Sequence, residues 1–447
     1  MKTPICDFVK DYAARGASRF HMPGHKGEPF LGCEPLDITE ICGADTLYSA
    51  NGIIAESEES ATRVFGTAHT FYSAEGSTLA IKAMLALVVR GVARGAQRPL
   101  ILASRCVHKA FVYAAALLDL DVEWIYPEDA THICKGTVTA SSLATALASG
   151  PKPAAVYITS PDYLGNVSDI SALSEICHAH HVPLLVDNAH GAYLHFLTPS
   201  RHPIALGADL CCDSAHKTLP VLTGGAYLHV SKHADPTYVA AARSTLAIFA
   251  STSPSYLILQ SLDRCNAYLS CGYAQRLADT VARLNALKTK LRALGVAVTD
   301  TEPLKLVIDA PASGYTGVEL AEHLRAYAIE VEFADWDYVV LMVTPENRDT
   351  DFARVAEAFE CLPKRAPLQE RAELPSPRAK RVLSIRAAVF AAHESCAARD
   401  AVGKITATPT VSCPPAVPIA VSGERIGAET VRLLEHYGID RIEVVKA

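Results

Sequence analysis

The sequence predicts an α/β protein, with a large domain built on a mainly parallel sheet and a smaller α+β portion after it. Two observations carry this. From about Gly76 to Val230 short apolar runs alternate with stretches at helical spacing, the pattern of a sheet covered on both faces by helices. A long helical stretch, 256–294, then separates that region from a second, shorter set of strands and helices beginning near Pro303.

In the first region the strand candidates are 100–103, 122–126, 155–159, 184–187, 210–213 and 226–230. Helical spacing fills 107–118, 140–148 and 170–180, and Ser168-Asp169 reads as the start of the last of these. Gly272 marks a break in the long helical stretch. The second region reads as strand 304–309, helix 318–327, strands 329–333 and 338–343, and helix 351–361. The charged segment 363–381, with prolines at 363, 367, 375 and 377, reads as a connector. Helix 380–393, an extended stretch around Cys413-Pro414-Pro415 and helix 426–437 follow, with no internal repeat. The expected division is an N-terminal segment 1–60, a large domain 61–295, a small α+β domain 296–365 and a C-terminal domain 366–447.

Composition narrows the function classes. In 447 residues half are hydrophobic and a fifth charged, as in an ordinary globular enzyme. A net charge of −7 without a Lys/Arg cluster argues against a nucleic-acid partner. The thirteen cysteines are odd in number and none forms a C-x-x-C pair, so they suggest a reducing cytoplasm rather than a disulfide framework or zinc site. Met1-Lys2-Thr3-Pro4-Ile5-Cys6-Asp7 lacks an apolar signal core, and no run approaches the ~20 apolar residues of a membrane span.

Chemistry concentrates where apolar runs end. Asp187 closes the run 182–186, and Lys217 follows the run 208–212 in Asp213-Ser214-Ala215-His216-Lys217-Thr218. Both positions read as carboxyl ends of buried strands, where open α/β sheets bind ligands. A buried amine beside a carboxylate on the neighbouring strand fits a pyridoxal 5'-phosphate site. It equally fits a structural Lys–Asp pair.

Gly76-Ser77-Thr78 opens an apolar helix, so backbone N–H groups and two hydroxyls form either a phosphate cradle or a plain helix cap. His108 lies just past strand 100–103, as an imidazole to stack on a flat cofactor or as a capping histidine. Ser214 and His216 offer further phosphate or carboxylate contacts, and Ala189 leaves room for a ring. In His21-Met22-Pro23-Gly24-His25-Lys26-Gly27 two histidines stand four apart, but Pro23 and Gly24 disfavour the helix a metal pair needs. An anion-binding loop or an ordinary turn is the reading there, and no metal is expected.

Together these segments resemble the Orn/Lys/Arg decarboxylases of the aspartate-aminotransferase fold. The matching segments are 21–27, Asp37-Ile38-Thr39-Glu40, Gly76-Ser77-Thr78, Thr159-Ser160-Pro161, Asp187-x-Ala189-His190-Gly191, Ser214-Ala215-His216-Lys217-Thr218-Leu219-Pro220 and Ser251-Thr252-Ser253-Pro254-Ser255-Tyr256. The resemblance implies a fold type I large domain with a mainly parallel seven-stranded sheet and pyridoxal 5'-phosphate as cofactor. It implies Lys217 as the Schiff-base lysine, Asp187 as partner of the ring nitrogen and His108 as the stacking imidazole. Gly76, Ser77, Thr78, Ser214 and His216 would hold the phosphate, with Ala189 and His190 lining the cofactor. Thr252 would reach the phosphate of a neighbouring subunit in a homodimer or dimer of dimers.

The implied reaction is α-decarboxylation of a basic amino acid, arginine before lysine or ornithine, with His216 or Lys217 returning the proton to Cα. The rival readings are an aminotransferase or lyase on the same scaffold and an inactive cofactor-binding homologue. Asp37, Glu40, Asp45 and Glu424 are the carboxylates considered for the far end of the substrate. The chain departs from the pattern in three places. The receiver-like wing domain of longer relatives is missing, the family's Tyr-Pro-Pro-Gly-Ile-Pro appears as Cys413-Pro414-Pro415-Ala416-Val417-Pro418, and the often acidic position 188 is asparagine.

Overall fold

The computed structural model describes residues 1–91, 98–129, 131–368, 377–410 and 415–446. Its main feature is a seven-stranded sheet. The strands are β1 (His69–Ser73), β2 (Leu100–Ser104), β3 (Asp121–Ile125), β4 (Ala155–Thr159), β5 (Leu184–Asp187), β6 (Leu210–Asp213) and β7 (Ala226–Val230). Their order is β1-β7-β6-β5-β4-β2-β3. β2 pairs parallel with β3 and β5 with β6, whereas β7 runs antiparallel to both β1 and β6. Segment 214–225, which joins β6 to its antiparallel neighbour β7, holds only a one-turn helix, Ala215–Thr218, and no full crossover helix. β5, β6 and β7 are buried at every residue, which is why they read as unbroken apolar runs.

Two compact units divide the chain, one of residues 1–92, 154–156 and 170–275, the other of 93–153, 157–169 and 276–447. In the first, helix Gly76–Val89 is apolar on every side and buries its residues from Leu79 to Val88 except Lys82. Phe65, Tyr72, Tyr227 and His229 pack their rings against one another, with centroid separations of 4.7–5.9 Å. In the second, β8 (Val298–Thr299), β9 (Lys305–Asp309), β10 (Phe333–Ala334) and β11 (Tyr338–Met342) form an antiparallel sheet in the order β10-β11-β9-β8. Helix Gly317–Ala326 packs there behind a Thr316–Glu319 capping box.

Most expected elements stand within a residue or two. Gly272, at φ +68°, separates helices Tyr256–Leu269 and Tyr273–Ala293, a backbone geometry that glycine tolerates best. Three helices were not anticipated, Pro4–Ala14, Ile53–Phe65 and Pro236–Phe249, and neither was β1. The expected helix 380–393 is cut to Ile385–Val389. β12 (His393–Ala397) instead pairs with β13 (Arg441–Val445), a nonlocal ladder that overrides local helix propensity. Cys413 and Pro414 of the proline-rich stretch lie outside the described residues. Among the described residues no helix is long and apolar enough to cross a membrane.

Candidate active site

In the first unit the site grows from the carboxyl ends of β5 and β6. Asp187 ends β5 at 2% exposure, and its Oδ1 accepts from the Ala189 N–H at 3.2 Å and from the Cys212 thiol at 3.5 Å. β6 ends at Asp213 and runs through Ser214 into a one-turn helix, Ala215–Thr218, which presents His216 and Lys217. The half-buried Lys217 Nζ lies 2.9 Å from Nε2 of His190, on the loop after β5. His216 donates from backbone N and from Nδ1 to the Gly225 carbonyl, at 3.2 and 2.9 Å. Burial holds the His216 imidazole below its ordinary pKa; the Gly225 carbonyl opposes this and the Lys217 charge adds to it.

The phosphate-cradle segment meets the same loop. Ser214 Oγ donates to Ser77 Oγ at 2.7 Å, tying the lysine turn to the first turn of helix Gly76–Val89. Gly76 takes φ +69° and donates its N–H to the Gly224 carbonyl at 2.7 Å, so the helix starts against the turn leading into β7. A Cβ on Gly224 would sit 3.1 Å from the Ala74 carbonyl oxygen, at φ +98°, which explains glycine there. Glu75 Oε1 accepts from the Ser251 N–H at 2.6 Å, which brings the loop bearing the exposed Thr252 to the helix mouth. The first-turn N–H groups of such a helix have no carbonyl within the helix to donate to.

This unit therefore gathers Gly76, Ser77, Thr78, Asp187, Ala189, His190, Ser214, His216 and Lys217. His108 belongs to the second unit. It is half-buried there and caps helix Lys109–Leu118, its Nδ1 accepting from the Ala110 N–H at 3.1 Å.

The four carboxylates considered for the substrate's far end have separate settings. Asp45 accepts from the N–H groups of Thr46, Asn51, Gly52 and Ile54 at 2.8–3.1 Å, and these bonds outweigh its burial and hold its carboxyl below the ordinary range. Glu424 is 3% exposed and lies 3.6 Å from Arg105, which also donates to the carbonyls of Pro418 and Ile419. These two are structural. Asp37 pairs with His25 at 3.2 Å, and Glu40 is exposed.

Sequence reasoning missed what lies directly behind the site. Asp213 is fully buried, and its Oδ2 lies 3.0 Å from Nε2 of both His202 and His229 while Oδ1 accepts from Asn188 Nδ2 at 2.7 Å. The one available signal was His229 inside the apolar run of β7, since a buried imidazole requires a partner.

A seven-stranded sheet in this order, with a lysine and an aspartate on loops at neighbouring strand ends, is the fold of type I pyridoxal-phosphate enzymes. A model of the Orn/Lys/Arg decarboxylase major domain matches residues 3–311. The chain belongs to the Orn/Lys/Arg decarboxylase family and is an amino-acid decarboxylase by that membership. It is 30% identical to an uncharacterized protein, YaaO, of Bacillus subtilis, across 97% of this chain and 94% of that protein. It is also 30% identical to an arginine decarboxylase of Halalkalibacterium halodurans, across 95% and 91% of the two chains. The lysine decarboxylase LdcF of Francisella novicida superposes with a TM-score of 0.81 at 15% identity, covering 99% of this chain and 81% of that one. At that identity the likeness concerns the fold alone.

Proposed function

We propose that this chain removes the α-carboxylate of a basic amino acid, arginine first among the candidates, with pyridoxal 5'-phosphate held at Lys217. The carrying observation is the convergence, in one unit, of an amine, a buried carboxylate and a hydroxyl-lined helix start. That donor set fits the cofactor's aldehyde, ring nitrogen and phosphate respectively. When bound, the cofactor supplies an electron sink for the electron pair left by departing carbon dioxide.

Each residue has a separable task in this reading. Lys217 is the covalent attachment point, and its contact with His190 gives the amine a partner able to take up its proton. Asp187, buried and hydrogen-bonded, is the carboxylate that would face the ring nitrogen and hold a proton there. Ser77 and Thr78 present backbone N–H groups and hydroxyls to the phosphate dianion, favoured there by the helix dipole, and Gly76 opens the helix beside them. Ser214 and His216 add contacts from the lysine turn. Ala189 leaves a ring face open, and the family resemblance assigns the other face to His108. His216 or Lys217 returns a proton to Cα.

The arginine preference rests on the likeness to the arginine decarboxylase of Halalkalibacterium halodurans, which matches across 91% of its length. A homodimer is supported by exposed apolar side chains near the amino terminus, Phe20, Phe30 and Leu31, which solvent disfavours. In such a dimer Thr252 serves the partner's phosphate. The reading places the enzyme in the cytoplasm and keeps the boundaries 1–60, 61–295, 296–365 and 366–447.

The test is carbon dioxide release from arginine, lysine and ornithine in parallel, with the visible absorbance of the purified protein. Lys217→Ala is expected to lose both the bound-cofactor absorbance and turnover. Full turnover by that variant, or keto-acid formation in place of carbon dioxide, would overturn the proposal.

A further inference from the structure

At the amino ends of β5 and β6, away from Lys217, a second group of chemistry-bearing side chains converges in the first unit. His178 comes from the last turn of helix Ile170–Ala179, Asp209 from the residue before β6, and His233 from the loop after β7. One coordinating atom from each lies within 4.8 Å of the other two. Asp209 is 7% exposed, and its Oδ2 accepts from the Leu184 N–H at 2.8 Å and lies 3.0 Å from His178 Nε2. Both ring nitrogens of His233 are hydrogen-bonded, Nδ1 2.8 Å from Ser231 Oγ and Nε2 3.1 Å from the Gly207 carbonyl, so ligation exchanges one of these bonds for the metal. The two imidazoles stand 5.6 Å apart at 76°. Beside them opens a cleft of about 320 Å³, also lined by His181, Asp235 and Tyr238.

We propose that His178, Asp209 and His233 form a divalent transition-metal site, of the zinc class, separate from the reaction centre. Two imidazoles and one carboxylate are the borderline donor set that Zn²⁺, Co²⁺ and Ni²⁺ favour over Mg²⁺ or Ca²⁺. In a tetrahedral site, bonds of about 2.0–2.2 Å put ligand atoms roughly 3.4 Å apart. The His178–Asp209 separation is already at that scale, and a rotation of the exposed His233 ring closes the rest. The Leu184 N–H on Asp209 is the outer-shell bond that fixes a ligating carboxylate. A surface His–Asp ion pair accounts for His178 and Asp209, while Ser231 and Gly207 hold the His233 ring beside them. Three protein ligands leave a fourth position facing the cleft, open to water or to His181.

Bound metal links helix Ile170–Ala179, the start of β6 and the segment after β7. It therefore braces the strand whose other end carries the lysine turn.

The test uses full-length protein stripped with chelator and titrated with Zn²⁺ alone by calorimetry, with Co²⁺ as a spectroscopic substitute. The expected result is one equivalent per chain, tetrahedral cobalt bands and a melting temperature raised by a few degrees. His178→Ala and His233→Ala, both at exposed positions, should each weaken binding tenfold or more, while His180→Ala leaves it intact. No saturable binding, or binding that survives the His178→Ala/His233→Ala double variant, would overturn the assignment. The readout is metal affinity, so failure here leaves the reading of Lys217 as it was.

Discussion

Asp209 and Asp213 flank the same strand, four residues apart, and each faces two histidines, yet they present opposite chemistry. Around Asp213 everything is dry: Asp213, His202 and His229 are all fully buried. The bonding assigns the protons. His202 Nδ1 accepts from the Ile204 N–H at 3.4 Å and His229 Nδ1 lies 2.9 Å from Thr70 Oγ1, so both rings donate from Nε2 to the carboxylate. With Asn188, an anionic Asp213 thus receives three hydrogen bonds, two from imidazoles and one from an amide. Every site for a proton is filled and a metal has no way in. Around Asp209 the same residue types sit at a rim, with the His178 side chain 41% exposed, and solvent can remove protons and deliver an ion. Burial, rather than residue identity, decides whether a His–Asp–His set is a fixed brace or an exchangeable site.

Removing the buried carboxylate gives the largest expected effect. Asp213→Ala leaves two imidazoles and the Asn188 amide without their acceptor in a dry core, at a cost of about 3–5 kcal/mol. Urea unfolding of this variant beside Asp209→Ala checks it, the latter losing about 1 kcal/mol. Equal losses at the two positions would erase the distinction between brace and rim.

Asn188→Asp sharpens the comparison from the other side of the same hydrogen bond. It sets a second carboxylate against Asp213 Oδ1, where the amide now donates at 2.7 Å. Two carboxylates at that range cannot both ionise, so one folded-state pKa rises. A raised carboxyl pKa is harmless below the unfolded value near 3.9 and destabilises increasingly as pH climbs above it. The variant should lose about 1–3 kcal/mol at pH 7 and less at pH 5, measured by denaturant midpoints at both. A loss that is the same at both values would mean that Asp213 is not the anion described.

The strand-end positions of Asp187 and Lys217 were legible because each follows an apolar run, and a run's end is a local signal. The brace behind it was not. His202 lies in a loop and His229 in the middle of β7, and only the pairing of β6 with β7 brings them to one carboxylate. The same limit explains the tail. Local spacing favoured a helix over 380–393, while the ladder between His393–Ala397 and Arg441–Val445 depends on residues far along the chain. The division of the sheet was readable for the opposite reason, since fully buried strands announce themselves without reference to their neighbours.

The buried ring cluster also predicts acid sensitivity. Burial holds His229 below its ordinary range, against the pull of Asp213, and brings the adjacent His195 down to about 4, with His202 and His229 adding to the shift. In the unfolded chain both titrate near about 6.5. Between that value and the folded pKa the unfolded state binds more protons, so stability falls as pH falls, by up to about 1.4 kcal/mol per pH unit for each ring. Asp213 adds a later loss: its carboxyl is depressed by the two histidines despite burial, so its contribution is present above about 3.9 and disappears as pH drops further. His195→Gln should flatten the melting-temperature profile between pH 6.5 and 4. An unchanged slope would remove His195 from the account.

The smallest expected effect lies at the rim, in the absence of metal. His178→Ala removes a partly exposed partner from Asp209 but leaves the bond from the Leu184 N–H, so the carboxylate keeps an internal donor and gains water. Such exposed pairs contribute about 0–1 kcal/mol, and salt screens them further. Metal-free His178→Ala should therefore unfold within about 0.5 kcal/mol of the parent chain in moderate salt. Added Zn²⁺ should separate the two, because only the parent retains both imidazoles. The contrast between a near-silent substitution without metal and a visible one with it is what an exchangeable site produces. A metal-free loss as large as that of Asp213→Ala would make Asp209 a second structural brace, and the difference between the two ends of β6 would vanish.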